Sequence, residues 1–153
     1  PPLKRNRLSK STEQHNTMKV SPSLLSADFA NLTPDIEMIN RSEADMLHLD
    51  VMDGVFVNNI SFGIPVLESI NKFSEMFMDV HLMITDPLKY VESFAKAGAD
   101  MITFHVEAES DISYPLFFLP HIVVASIPYQ SVFPLFLDCF HCAKVMYISN
   151  IPL

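Results

Sequence analysis

Three observations predict an α/β fold with parallel strands for this 153-residue chain. Four short apolar runs alternate with three segments of helical periodicity between residues 20 and 107, the pattern of strands joined by crossover helices. Each run carries polar side chains at alternate positions: Ser21 and Ser23; His48 and Asp50; Asp79 and His81; Thr103, His105 and Glu107. Side chains alternate across a strand, so each polar set shares one face and its apolar neighbours share the other. A flat doubly wound sheet covers both faces with helices, which makes such one-sided polarity costly. A (β/α) barrel instead gathers the inward faces around one enclosed axis, with reactive groups at the C-terminal strand ends. The expectation is a (β/α) TIM-type barrel.

The first strand is expected over residues 20–25, with Pro22 near its start where a missing N–H is tolerated. Thr33 suits the N-cap of the first helix, Pro34 its first position, and Asp35 and Glu37 its positive end. Ile36, Ile39 and Asn40 fall on one side of it. Ala44-Asp45 leads into the second strand, where Leu47, Leu49 and Val51 oppose His48 and Asp50, and Gly54 follows as a turn. A long loop with apolar anchors covers residues 55–63, a length common in binding loops. Pro65 opens a second helix reaching about Phe73, with Val66, Leu67 and Ile70 inward. The third strand is expected over residues 78–84. Asp86 is then expected to cap a third helix with Pro87 at its first position, and Gly98 ends it as a C-cap. Tyr90, Val91, Phe94 and Ala95 form its apolar stripe, and the fourth strand follows over residues 101–107.

A histidine and a carboxylate side by side near a strand end can hold a divalent metal, or pair a ligand with a proton-transfer base. A satisfied core hydrogen bond accounts for His48 and Asp50 equally well.

Taken together, five segments are specific. Val20-Ser-Pro-Ser-Leu-Leu-Ser26, Leu47-His-Leu-Asp-Val-Met-Asp-Gly54, Asn59-Ile-Ser-Phe-Gly63, Asp79-Val-His-Leu-Met83 and Phe104-His-Val-Glu-Ala108 resemble the ribulose-phosphate 3-epimerase family in order and spacing. The similarity covers about residues 19–109 and implies a barrel of the ribulose-phosphate-binding kind, here only its N-terminal half, since a full barrel needs about 200 residues or more. It implies interconversion of D-ribulose 5-phosphate and D-xylulose 5-phosphate in the pentose phosphate pathway, by C3 proton abstraction through an enediolate. By the same resemblance His48, Asp50 and His81 are ligands of one divalent metal ion, which zinc, iron, manganese and cobalt would each satisfy. Asp50 is also the catalytic base, and Ser23 and His81 are substrate contacts. Met52 and Met83 line the pocket, although plain core filling explains both methionines too. The implied partner is a sugar phosphate, and a homo-oligomer is compatible with it. Two alternatives stand beside this reading: a non-catalytic half-barrel fragment, and a relative of the allulose 6-phosphate 3-epimerase type.

The family pattern also includes a late-strand Val-Asp-Gly-Gly, whose aspartate is the second acid and completes the metal site, and glycine-rich phosphate loops. Neither is found here: glycine occurs only at 54, 63 and 98. Asn58 stands where the family often has proline, a change in the loop rather than in the chemistry. The composition shifts near residue 109, since residues 110–153 carry only Asp111, Asp138 and Lys144 among charged groups, with five prolines. Asp138 sits in no family motif, and Cys139-Phe-His-Cys142 has zinc-knuckle spacing without a second pair. The expected organisation is a disordered arm over 1–17, or sequence upstream of a start at Met18; the half-barrel over 18–109; and a divergent apolar tail over 110–153. A truncated or frame-shifted origin is the simplest account of that tail.

A formal charge of -8 argues against nucleic acid as a partner. Residues 112–137 are free of charged residues, but four prolines within them argue against a membrane-spanning helix. Two cysteines give no disulfide framework, which points to a reducing, cytoplasmic compartment.

Overall fold

A computed structural model describes residues 19–108, together with the backbone of two further strands at Val123–Ile127 and Lys144–Met146. The elements are β1 (Lys19–Ser21), α1 (Leu32–Arg41), β2 (Met46–Met52), α2 (Ile64–Ile70), β3 (Phe77–Met83), α3 (Leu88–Ala97), β4 (Met101–His105), β5 (Val123–Ile127) and β6 (Lys144–Met146). Short 3-10 turns lie at Leu24–Ser26 and Val106–Ala108. Strands β2, β3, β4 and β5 pair in that order, all parallel. This is an α/β fold with parallel strand–helix alternation, resembling a segment of a TIM barrel, and its sheet is open among the described residues.

The predicted sidedness of β2, β3 and β4 holds, whereas Tyr90, expected on the apolar stripe of α3, is exposed. Leu47, Leu49 and Val51 of β2, Val80 and Leu82 of β3, and Ile102 and Phe104 of β4 form one buried cluster. Ile36 and Ile39 of α1, Leu67 and Ile70 of α2, and Val91 and Phe94 of α3 belong to it. Each such side chain removed from water contributes roughly 1.5–3 kcal/mol, and the helices are thereby fixed to one face of the sheet. His48, Asp50, Asp79, His81 and His105 are left on the other face, all buried.

Two clamps of the same design set the strand starts. The sequence Ala-Asp-Met occurs at residues 44–46 and 99–101, just before β2 and β4. The Asp45 N–H donates to the Val20 carbonyl while its carboxylate accepts from the Val20 N–H. Asp100 repeats both bonds on Met78.

Several boundaries differ from expectation. The first strand ends at Ser21, because Pro22 has no N–H to donate and Ser23 turns the chain, its hydroxyl accepting from Leu25 N–H at 3.3 Å. β1 pairs antiparallel with β6 but also borders β2, where His48 N–H donates to the Pro22 carbonyl and Ser23 bridges to His48 in parallel. Helix α1 starts at Leu32 with Asn31 as its cap, so Thr33 lies inside the helix. Pro34 is accommodated because first-turn N–H groups have no intrahelical partner anyway. Helix α2 stops at Ile70, with a turn carrying the chain to Phe73. Asp86 is not the cap of α3: it takes a left-handed φ of 50° and Pro87 stands at the cap. Gly98 does end α3, at a φ of 116° that favours glycine. β4 ends at His105, and the turn that follows leaves Glu107 exposed, off the polar face predicted for it. The readings of the arm at 1–17, of Asp138 and of Cys139 and Cys142 lie outside the described residues.

Candidate metal centre

Parallel register brings the polar faces together. His48 stands opposite Asp79, Asp50 opposite His81, and Met52 opposite Met83. One further strand along, His81 stands opposite Thr103, two residues before His105. Around Asp50 the contacts converge. One of its carboxylate oxygens lies 2.9 Å from Nε2 of His48 and 3.1 Å from Nδ1 of His81. The other accepts the Ser23 hydroxyl at 2.8 Å. Donor atoms of His48, Asp50 and His81 all lie within 4.8 Å of one another.

These residues fit a divalent cation. Two imidazole nitrogens and a carboxylate oxygen are common ligands, and ligands about 2 Å from a shared ion stand roughly 3 Å apart. The outer contacts are those of a metal site as well. Nδ1 of His48 lies 2.6 Å from Asp79, an arrangement that fixes the ring and turns Nε2 toward the ligand cluster. Nε2 of His81 lies 2.9 Å from Nε2 of His105.

Electrostatics point the same way. Burial acts to lower the His48 pKa, but the charge and hydrogen bond of Asp50, reinforced by Asp79, raise it above the ordinary value. Both ring nitrogens face carboxylate oxygens, which only accept, so the cluster calls for positive charge between them.

The loop after β2 is tied to this centre. The Ser61 hydroxyl donates to the Asp50 carbonyl at 2.7 Å and accepts from Met52 N–H at 3.0 Å. At the loop start, partial burial opposes ionisation of Asp53, but the N–H groups of Thr85, Phe56 and Val55 outweigh it and hold the carboxyl at about 2. Met52 and Met83 are buried and opposite each other in register, two residues beyond Asp50 and His81 along their strands.

Of the residues singled out in the sequence, His48, His81 and Ser23 thus all lie within hydrogen-bond distance of Asp50. Asp79, His105 and Ser61 were not assigned a role. Alternation placed the first two on the polar face, but only the strand register shows which residues they meet.

The sequence model of the ribulose-phosphate 3 epimerase family matches residues 19–120. The chain belongs to that family. It is similar to the cytoplasmic isoform of ribulose-phosphate 3-epimerase from Oryza sativa subsp. japonica, at 50% identity over 93 residues, covering 61% of this chain and 41% of the rice protein. It is also similar to ribulose-phosphate 3-epimerase from Synechocystis, at 52% over 88 residues, covering 58% of this chain and 38% of that one. For the Bacillus subtilis enzyme of the same name the figures are 48% over 91 residues, 60% and 42%. The chain therefore spans about two-fifths of the length of the curated relatives it matches. Among the described residues no helix is long and apolar enough to cross a membrane.

Proposed function

We propose that this chain supplies the metal-and-base side of a ribulose-phosphate 3-epimerase site, acting on D-ribulose 5-phosphate and D-xylulose 5-phosphate. The observation that carries the reading is the convergence of His48, Asp50 and His81 donor atoms on one point, in a family member. A divalent ion held there supplies Lewis-acid polarisation of the substrate carbonyl. Asp50 takes the C3 proton, and Ser23, donating to its outer oxygen, keeps the carboxylate oriented and contacts substrate. Burial of the cluster excludes water, which strengthens each of these interactions. Met52 and Met83 form the apolar wall of the substrate pocket. In this reading residues 18–109 are the N-terminal half of a (β/α) barrel, the compartment is cytoplasmic, as for the rice relative, and the assembled enzyme is compatible with a homo-oligomer.

Inversion at C3 requires a second acid on the opposite face of the substrate. Among the described residues, the ligands gathered here come from β2 and β3, with Ser23 beside them. The 153-residue chain is accordingly expected to exchange the C3 proton without net epimerisation. The test is deuterium uptake at C3 of ribulose 5-phosphate in deuterated water with added divalent metal. Metal-dependent exchange lost in Asp50→Asn, with no xylulose 5-phosphate formed, is the expected result. No exchange at all favours the non-catalytic half-barrel, and exchange retained by Asp50→Asn removes Asp50 as the base. Faster exchange with allulose 6-phosphate would move the assignment to that substrate.

A further inference from the structure

We propose that His105 is a positioning residue of the metal centre, holding His81 through a shared proton so that Nδ1 of His81 presents its lone pair beside Asp50. The inference rests on the metal-site reading above and extends it beyond the three ligands.

His105 and His81 are both fully buried, with Nε2 of each 2.9 Å apart and ring centroids at 4.8 Å. At that separation one nitrogen donates and the other accepts. A ligating nitrogen must offer a lone pair, so a neutral His81 bound through Nδ1 carries its proton on Nε2. That proton then points at His105 Nε2, which accepts it. His105 does for His81 what Asp79 does for His48: it occupies the nitrogen turned away from the cluster and so decides which nitrogen is turned toward it.

The acceptor is itself held. Phe56, half-buried in the loop after β2, stacks on the His105 ring at 5.2 Å between centroids and 29° between planes. β4 carries His105 into this position through its parallel register with β3. The loop, Phe56, His105 and His81 thus form one packed series ending at the metal ligands.

Zinc binding by the full 153-residue chain, measured by competition with a chromogenic chelator, tests the assignment. His105→Phe keeps a ring but loses the acceptor, and should weaken zinc binding by roughly 10–100-fold. His105→Gln restores an acceptor oxygen and should recover most of the loss. Unchanged affinity in His105→Phe, or a glutamine variant no better than the phenylalanine one, overturns the proposal. A spectroscopic measurement on the unaltered chain guards against misfolded variants. Nitrogen-15 NMR of the zinc-loaded chain should show the Nε2 proton on His81 and a scalar coupling across the bond to His105 Nε2. A proton on His105 Nε2, or no coupling, overturns it equally. If the unaltered chain binds no zinc, the metal-site reading itself fails and this inference falls with it; zinc binding that is indifferent to position 105 removes this inference alone.

Discussion

His48 and Asp79 face each other across β2 and β3, with Nδ1 of the histidine 2.6 Å from the carboxylate. The contact is fully buried, so its geometry is set by strand register rather than by solvent. Removing the charge of this partner should weaken divalent-metal binding by roughly 10–100-fold. Titration of Asp79→Asn against a metal-competing dye checks this. Affinity equal to that of the unaltered chain would show that Asp79 only fills space.

The raised pKa of His48 makes metal binding and metal-free stability respond to pH in opposite directions. In the metal-free chain the protonated ring gains stability from Asp50 and Asp79. That contribution is fully present below the ordinary value of 6.5 and is lost as pH rises through the raised folded value. The same proton competes with the ion for Nε2, so metal affinity should climb over that rise. Thermal melts with and without chelator, across pH of about 5 to 8, should diverge as pH increases. Parallel curves would contradict this.

The repeated Ala-Asp-Met clamp predicts a stability effect away from the chemistry. Asp100→Ala removes the acceptor for the Met78 N–H at the start of β3. A hydrogen bond to a charged group is worth about 1.5–3 kcal/mol. Denaturant unfolding should show a loss of that order, against less than about 0.5 kcal/mol for an exposed control such as Glu68→Ala.

Much of this was legible in the sequence, for reasons that can be named. Alternation alone separates Leu47, Leu49 and Val51 from His48 and Asp50, and parallel pairing follows from the crossover helices. Gly98 was readable because few other residues close a helix at positive φ. The end of the first strand was not, because a short run with one proline can continue as a strand or turn, and the Ser23 side chain decides it by accepting from Leu25. Glu107 was misplaced because alternation extrapolates past the point where β4 turns. Asp79 and His105 were visible as polar-face residues, yet their partners lie on other strands, 31 and 24 residues away in sequence. Such contacts depend on register, which a single strand does not encode.

The central claim is that His48, Asp50 and His81 hold one divalent ion. X-ray absorption of the zinc-loaded 153-residue chain tests it most directly. The account predicts one tightly bound ion whose spectrum shows two imidazole ligands with carboxylate oxygen, one imidazole disappearing in His48→Ala and one in His81→Ala. Zinc bound with the same imidazole scattering in both variants would contradict it.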